Sequence, residues 1–477
     1  MRPDATIADP AYQEALHWLY ALSPNVRTAA DIRVDQPRKL ARMQALLDRL
    51  GNPERAYRSV LIAGTKGKGS ISAMVESILR AAGRQTGLVT SPHLVSWCER
   101  TRLDGQAIAP AEVARLMPEI RAAADRLAAE RPDLGAATTF EAGLALSLLA
   151  FARHSVEIAV VEVGVGGGHD ATNVLDPLAV AIGPISYDHL GTLGDTLTAI
   201  ATEKAAIMRP GRLAVSAAQP DEARVVVERV AAERQARLEL VGREWRWHAD
   251  DDQPARGAFT IEGPRGRFSG LTTPLLGRHQ RENAAAAVAL ATELLEAPSP
   301  SPSPAGRGAG GEGEQAIRQG LAHVFWPGRL QMLRERPTLI VDGAHNGDSA
   351  VRLAEAVVEC FGERRRHLVF GTSVGKDLRR MFDALLPIAS TVTLTRSHHE
   401  RSVPLPALAE TLAARRVEAL IQPDVRTSVQ HVLDEAQPDD LILVTGSLFV
   451  VGEALEAFGG NDDGDAISEA QPEGERS

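Results

Sequence analysis

The clearest pattern of apolar and polar positions lies between residues 60 and 82. An apolar run of strand length at 60–63 is followed by a loop, 64–70, that holds three glycines and two lysines. After the loop, apolar residues recur at intervals of three and one, which is typical of one face of a helix; they are Ile71, Met74, Val75, Ile78, Leu79 and Ala82. The pattern therefore predicts a strand, a glycine-rich loop and an amphipathic helix in direct succession.

The rest of the first half alternates the same two kinds of segment. Helical spacing covers 11–50, 110–130, 139–153, 197–208 and 281–296, and short apolar runs typical of strands cover 86–90, 156–163 and 178–185. Thr138 or Thr139 is the expected N-cap of the helix at 139–153. Residues 213–275 alternate short apolar runs with Gly and Pro, which predicts peripheral strands.

The second half repeats the alternation of strands and helices. Apolar runs at 338–341, 367–371, 391–395 and 441–445 are separated by helical segments at 348–360, 376–386 and 406–415. Alternation at this spacing predicts a mostly parallel sheet with helices on its faces.

A low-complexity segment, PSPSPSPAGRGAGGEGE at 298–314, cannot contribute to a hydrophobic core. We interpret it as an insertion in a surface loop, because a short helix resumes at 316–322 and the Trp-Pro-Gly-Arg sequence at 326–329 makes a better hinge. We therefore expect domains at 1–325 and 326–458, followed by a disordered acidic tail at 459–477.

Composition narrows the classes of function. A net charge of −10 argues against sequence-independent nucleic-acid binding, which needs a basic surface. The two cysteines, Cys98 and Cys360, give no disulfide framework and fit a reducing compartment. The first residues lack the apolar core of a signal peptide, and no apolar run reaches the roughly 18 residues that a membrane span needs. We expect a soluble cytoplasmic protein without nucleic-acid or membrane partners.

The loop at 64–70 is a candidate phosphate site. Its glycines let backbone N–H groups approach phosphates, the helix N-terminus adds partial positive charge, and a lysine neutralises the rest. The common phosphate-loop motif G-x-x-x-x-G-K-[ST] is not matched, because two residues separate Gly64 from Gly67, and Gly69 lies between Lys68 and Ser70. A glycine turn with a solvated lysine is the alternative, but the position between strand and helix favours a nucleotide site.

Polar residues near the ends of three predicted strands suggest a metal site. Ser91 follows the strand at 86–90, Glu162 lies near the end of 156–163, and His189 follows 178–185. In parallel sheets these ends share one edge, and a buried carboxylate needs a cation or hydrogen bonds. A divalent metal that bridges nucleotide phosphates would supply one. Taken singly, Ser91 is an ordinary turn residue, His189 a structural histidine and Lys204 a surface lysine.

The glycine run at 164–168 invites comparison with the dinucleotide fingerprint G-x-G-x-x-G. His169 occupies the place of the third glycine, and no helical periodicity follows. A dehydrogenase is therefore the least favoured interpretation.

Ten motifs in order make the chain resemble the folylpolyglutamate synthase and dihydrofolate synthase family of the Mur ligase superfamily, over roughly residues 35–455. They are GTKGKGS (64–70), SPHL (91–94), TTFE (138–141), EVGVGGGHDATNV (162–174), DH (188–189), ATEKAAIM (201–208), GRHQRENAAAA (277–287), WPGRLQ (326–331), DGAHN (342–346) and TGS (445–447). The resemblance implies an α/β fold: a P-loop ATP-binding domain with a mostly parallel sheet and a smaller Rossmann-like C-terminal domain, with catalysis between them.

The resemblance also implies a reaction and a set of site residues. ATP would convert a folate or dihydropteroate carboxylate into an acyl phosphate, which L-glutamate attacks, with Mg²⁺ as cofactor and the enzyme a monomer. The implied ATP contacts are Gly64, Thr65, Lys66, Gly67, Lys68, Gly69, Ser70, Asn283, Arg329 and Asp342. The implied metal ligands are Ser91, Glu162 and His189, and the implied substrate contacts are Thr139, Phe140, Glu141, His169 and Asp170. The implied catalytic residues are Lys68, His345 and Lys204, the last matching a lysine that the family carbamylates.

Three departures from the family pattern leave alternatives open. Lys66 stands where the family usually has Asn, Gly168-His169 replaces Arg-Leu, and Gly347 replaces a common Pro. The change at 168–169 lies in the pteroate region, so a Mur-type ligase for another carboxylate acceptor is one alternative. A nucleotide-binding paralogue without turnover is another, against which the chain keeps Glu162, His189, Lys204 and His345.

Overall fold

The computed structural model describes residues 7–22, 29–187, 194–253, 255–296 and 311–459. The chain divides into two compact units, Met1–Trp326 and Pro327–Ser477. Most of the predicted insertion (298–310) and the predicted tail from 460 onwards lie outside the described residues. Within the described ranges, no helix is both long enough and apolar enough to cross a bilayer.

The first unit is built on an eight-stranded sheet. Its strands are β1 (Arg58–Ala63), β2 (Thr86–Val89), β3 (Thr101–Leu103), β4 (Gln106–Ala107), β5 (Ile158–Glu162), β6 (Ala179–Ile182), β7 (Leu213–Ser216) and β8 (Arg237–Leu240). The order is β4-β3-β2-β5-β1-β6-β7-β8, and all pairs are parallel except β2–β3 and β3–β4. Since β1 lies between β5 and β6, its carboxyl end is central in the sheet.

Helices cover both faces of this sheet. They are α1 (Pro10–Ala21), α2 (Ala29–Arg49), α3 (Lys68–Ala81), α4 (Pro110–Glu130), α5 (Thr139–Arg153), α6 (Leu197–Ala205), α7 (Asp221–Glu233), α8 (Arg278–Glu296) and α9 (Gly311–Ala322). Side chains of β1 alternate between two cores: Leu61 and Ala63 pack with α1, α2, α4 and α5, whereas Val60 and Ile62 pack with α3, α8 and α9. Burial on both faces explains why β1 is apolar from Val60 to Ala63.

A small antiparallel sheet covers the core that Val60 and Ile62 share with α3, α8 and α9. Its strands are β9 (Arg246–Ala249), β10 (Phe259–Gly263) and β11 (Gly266–Leu271), in the order β11-β10-β9. Phe259 and Ile261 of β10 are buried in the same core as Trp245, so this sheet packs over α8.

The prediction of peripheral strands for 213–275 was wrong in two respects. The segment contains the helix α7, and β7 and β8 extend the main sheet in parallel, so only β9–β11 are peripheral. The buried residues of α7 recur at intervals of three and one, a helical signal that the short-run interpretation overlooked; they are Ala223, Val226, Val227, Val230 and Ala231. Predicted helix 11–50 is divided into α1 and α2, and the helix expected at 316–322 begins at Gly311.

The second unit contains a six-stranded sheet, and the expected parallel α/β arrangement is confirmed in both units. Its strands are β12 (Gln331–Arg334), β13 (Thr338–Asp342), β14 (Arg366–Phe370), β15 (Thr391–Leu394), β16 (Leu420–Ile421) and β17 (Leu441–Thr445), in the order β12-β13-β17-β14-β15-β16. Only β12 is antiparallel. The helices of the second unit are α10 (Gly347–Phe361), α11 (Leu378–Leu385), α12 (Leu405–Ala413), α13 (Val425–Glu435) and α14 (Leu448–Phe458).

Candidate active site

The loop at 64–70 joins the end of β1 to the start of α3, and its glycines are required by close contacts. Gly67 has a φ of +74°, and a Cβ atom there would lie 2.4 Å from Oδ1 of Asn283. Gly64 has a φ of +147°, and a Cβ atom there would lie 2.9 Å from Cα of Gly183. Any larger residue would be strained at both positions and would displace the loop.

Backbone hydrogen bonds fix the first part of this loop to the segment after β6. The N–H groups of Thr65 and Lys66 both donate to the carbonyl oxygen of Pro184, at 3.0 Å each, and Oγ1 of Thr65 donates to the carbonyl oxygen of Ser186. The amides at the start of α3, from Lys68 onwards, have no acceptor within the helix, as in the first turn of any helix. A helix start held in this way is suited to bind phosphate oxygens.

Lys68, Ser91 and Glu162 lie together at the carboxyl edge of the main sheet. Glu162 pairs in register with Ile62, so it ends its strand beside the loop, and only 6% of it is exposed. Its Oε1 lies 3.9 Å from Nζ of Lys68, and its Oε2 accepts a hydrogen bond of 3.0 Å from the backbone N–H of Ser91. These contacts supply the charge and hydrogen bonds that a buried carboxylate needs.

The same edge suits a hard divalent cation. Glu162 and Ser91 offer oxygen ligands, although the described part of the chain contains no group of three or more His, Cys, Asp or Glu residues that could hold a metal ion by themselves. Mg²⁺ commonly binds to one or two protein oxygens and completes its shell with water and phosphate oxygens. The third predicted ligand, His189, lies outside the described residues.

Lys204 of α6 is buried, not at the surface, with 4% of the residue exposed. Its Nζ donates a hydrogen bond of 2.8 Å to the carbonyl oxygen of Gly64, so it contacts the loop directly. The glycine run packs against the same helix: a Cβ atom at Gly167 would lie 2.5 Å from the carbonyl oxygen of Glu203, and the N–H of Gly168 donates to that oxygen. The contacts of α6 therefore link the glycine run to the phosphate loop.

Asn283 provides a polar atom beside the loop. Its Nδ2 donates to Oε1 of Gln280 at 3.0 Å, whereas its Oδ1 is buried and accepts no hydrogen bond from the described residues. Because a buried acceptor without a donor is costly, this oxygen is available to a ligand that carries an N–H group. The site therefore fits a nucleotide, which offers both phosphate oxygens and base amino groups.

The predicted substrate contacts at the start of α5 are engaged within the protein. Thr138 is the N-cap, as expected, and forms a capping box with Glu141. The Glu141 carboxylate is 1% exposed and also accepts two hydrogen bonds of 2.8 Å from the guanidinium of Arg42. Oγ1 of Thr139 donates to the carbonyl oxygen of Leu19. Sequence reasoning missed Arg42, whose only signal was its place beside Met43 in an amphipathic pattern.

The other predicted substrate contacts surround the loop at 164–170. A Cβ atom at Gly164 would lie 2.7 Å from Cζ of Phe140 and 3.1 Å from Oδ2 of Asp170. Asp170 is 1% exposed, and its carboxylate accepts hydrogen bonds from the N–H of Val165 at 3.0 Å and from Oγ1 of Thr172 at 2.7 Å. The hydrogen bonds of the Asp170 carboxylate therefore stabilise the conformation of the loop that contains the glycine run.

His169 presents a different environment from Asp170. Its side chain is half exposed, its N–H donates to Oε1 of Glu203 at 2.8 Å, and its Nδ1 lies 2.9 Å from Oε2 of the same carboxylate. His169 thus connects the glycine run to α6 at the helix position next to Lys204.

The second unit brings its own predicted residues together at the end of β13. Asp342 accepts 2.8 Å hydrogen bonds from the N–H groups of Leu330 and Ala344. Burial raises the pKa of Asp342 above its ordinary value, although the Arg329 charge and the two amides act in the opposite direction. Nδ1 of His345 lies 2.8 Å from the carbonyl oxygen of Gly343 and must carry the proton of that hydrogen bond.

Comparison with known proteins agrees with this geometry. Residues 62–291 match the Mur ligase middle domain, and residues 328–448 match the glutamate ligase domain of Mur ligases. The dihydrofolate synthase/folylpolyglutamate synthase of Bacillus subtilis is 30% identical over 447 residues, which cover 93% of this chain and 98% of the relative.

Solved structures extend the similarity to three dimensions. The structure of E. coli FolC in complex with DHPP and ADP has a TM-score of 0.79 and 28% identity, covering 95% of this chain and 98% of that one. The Yersinia pestis folylpolyglutamate synthase/dihydrofolate synthase, complexed with AMPPNP and a Mn ion, has a TM-score of 0.78 and 29% identity, with coverage of 95% and 98%. On these similarities over nearly its whole length, the chain belongs to the folylpolyglutamate synthase/dihydrofolate synthase family of Mur ligases.

Proposed function

We propose that this protein is an ATP-dependent ligase that forms an amide bond between L-glutamate and the carboxylate of dihydropteroate, of a reduced folate, or of both. The observation that carries the proposal is the convergence of the phosphate loop, Lys68, Ser91 and Glu162 at one sheet edge. That edge belongs to a chain whose relatives over most of its length are named dihydrofolate synthase/folylpolyglutamate synthase.

The chemistry needs this kind of site. A carboxylate is a poor acyl donor, so its oxygen attacks the terminal phosphorus of ATP, ADP leaves, and an acyl phosphate forms. The glutamate amine then attacks the carbonyl carbon, phosphate leaves with the electron pair of the C–O bond, and the nitrogen loses one proton to the departing phosphate or to solvent. Two anions must approach each other in the first step, and Lys68 together with the amides of the loop would neutralise the charge that develops.

Ser91 and Glu162 would hold Mg²⁺, with His189 as the third predicted ligand. When bound, the cation would neutralise phosphate charge and orient the terminal phosphate. The role of Lys204 is proposed from the family pattern: carbamylation would turn its ammonium group into an anion that helps to hold a second Mg²⁺. The carbamate nitrogen would keep one N–H group, so Nζ would still be able to donate to the carbonyl oxygen of Gly64.

Phosphate release from ATP tests the proposal. The purified protein is supplied with Mg²⁺, L-glutamate and either dihydropteroate or tetrahydrofolate, and mass spectrometry follows the addition of one glutamate to the acceptor. Turnover with neither acceptor would reject the proposal. Turnover on another carboxylic acid would support the alternative suggested by Gly168 and His169, and ATP binding without turnover would support a paralogue without activity. The monomeric state and cytoplasmic location stay predictions.

A further inference from the structure

Trp326, the last residue of the first unit, lies against the first turn of α3. A Cβ atom at Gly69 would lie 2.4 Å from Cζ2 of the indole and 3.1 Å from its Nε1. The indole also packs, partly buried, on the core that contains Ile71 and Val324. Only glycine at position 69 allows the aromatic ring to approach the phosphate loop this closely.

The packing of helix α9 on α3 positions Trp326 beside the first turn of α3. Oγ of Ser77 donates a hydrogen bond of 2.7 Å to the carbonyl oxygen of Gly320, and a Cβ atom at Gly320 would lie 2.4 Å from Cα of Ile78. α9 is therefore fixed to the C-terminal half of α3, and residues 323–326 return to the N-terminal turn. The last residue of the first unit, Trp326, therefore lies next to the phosphate loop.

The indole has an unused hydrogen-bond donor at this position. Nε1 of Trp326 is buried and donates to no acceptor among the described residues. A buried donor without a partner is costly in free energy. An oxygen atom of a ligand bound at the loop would therefore be able to accept a hydrogen bond from Nε1 of Trp326.

We propose that Trp326 is a positioning residue that couples occupancy of the phosphate loop to the segment that leaves the first unit. Phosphates that bind at 67–70 change the surroundings of the indole, and the indole in turn holds the start of α3 in the conformation that binds them. The inference rests on the proposed function, since it needs a nucleotide at the loop.

Tryptophan fluorescence provides a test that needs no acceptor. The chain has five tryptophans, and Trp247 in the small sheet is a control position in the same unit. The full chain is titrated with Mg²⁺ and AMPPNP. We expect an emission change in the wild type and in Trp247→Phe, and its loss in Trp326→Phe. A full emission change in Trp326→Phe would overturn the inference.

A double-mutant cycle separates coupling from general destabilisation. Gly69→Ala places a methyl group against the indole, and Trp326→Ala removes the ring; each should raise the dissociation constant of AMPPNP about tenfold, measured by calorimetry. In the Trp326→Ala background the methyl group has room, so Gly69→Ala should add less than about twofold. Costs that simply add would refute the coupling.

If the wild type binds no AMPPNP, both the proposed function and this inference fail, whereas binding with an unresponsive indole removes the inference alone.

Discussion

Replacing Glu141 with glutamine should lower the free energy of unfolding of the first unit by about 3 kcal/mol. The Arg42 and Glu141 side chains are 3% and 1% exposed and form two hydrogen bonds of 2.8 Å. Burial alone would lower the pKa of Arg42, but hydrogen bonds to Asp35 and Glu141 outweigh it and raise that pKa above its ordinary value. The guanidinium of Arg42 is therefore charged, and the substitution leaves this buried cation short of one carboxylate partner.

The magnitude follows from what remains around Arg42. Removing one partner of a buried ion pair costs about 3–5 kcal/mol, and Asp35, which keeps its hydrogen bonds to Arg42 of 2.7 and 2.9 Å, favours the lower end. Arg42→Met should cost more, because it leaves two carboxylates without their cation. As a control, Glu130→Gln removes a surface ion pair with Arg49, in which the glutamate side chain is 59% exposed, and should cost below about 1 kcal/mol.

Urea unfolding followed by circular dichroism measures these differences, and ligase assays give KM for the folate acceptor. We expect Glu141→Gln to change stability far more than KM at temperatures where it stays folded. The reasoning would be refuted by a variant of unchanged stability whose KM for the acceptor rises tenfold or more. That result would return Glu141 to the substrate-contact role that the motif alone implied.

Three further predictions concern the site. Lys68→Met should lower kcat/KM by 10²-fold or more, on the order of 3 kcal/mol of barrier, and a near-normal rate of phosphate release would contradict its role. Asp342→Asn should gain stability over the wild type as pH rises through the window between the ordinary pKa of Asp342 and its raised pKa in the folded protein. The reason is that the folded protein holds the proton of Asp342 above its ordinary pKa of 3.8, so its contribution to stability falls as pH rises through that window; calorimetry at several pH values would show a constant difference if this is wrong. His169→Leu should raise KM for the acceptor several-fold, since His169 is a predicted substrate contact. It should leave AMPPNP affinity within about twofold, because the hydrogen bonds that the structure describes for His169 go to Glu203 and not to residues 64–70; equal losses in both measurements would contradict this assignment.

Local periodicity predicted the elements that build the site but not their partners. The apolar spacing at 60–82 was sufficient for β1 and α3, although burial is not confined to one stripe: β1 is buried on both faces, and α3 is buried at every position from Gly69 to Leu79. It was insufficient for α7, where Gly and Pro on either side suggested turns and drew attention away from helical spacing inside the segment. Strand ends correctly suggested that Ser91 and Glu162 would meet, since parallel strands share an edge.

Motif matching located Glu141 and Asp170 but could not show what their side chains contact. Both carboxylates are satisfied within the protein, Glu141 by Arg42 and Asp170 by its own loop. A contact that spans 99 residues, such as that between Arg42 and Glu141, depends on how helices pack and leaves no local trace in the sequence. The structure shows the contacts of both carboxylates within the protein, and their contact with substrate stays a prediction.

The departure at 168–169 is explained by packing against α6. A Cβ atom at Gly168 would lie 2.8 Å from Cβ of Ala206, so the arginine that the family usually places there would require α6 to shift. With glycine at 168, the N–H of that residue donates to the carbonyl oxygen of Glu203, and the neighbouring His169 engages the Glu203 carboxylate. The two changes therefore act together: glycine brings the loop onto the helix, and histidine supplies the polar partner. α6 also carries Lys204, whose Nζ donates to the carbonyl oxygen of Gly64, so the helix on which Gly168 and His169 pack is the same helix that contacts the phosphate loop.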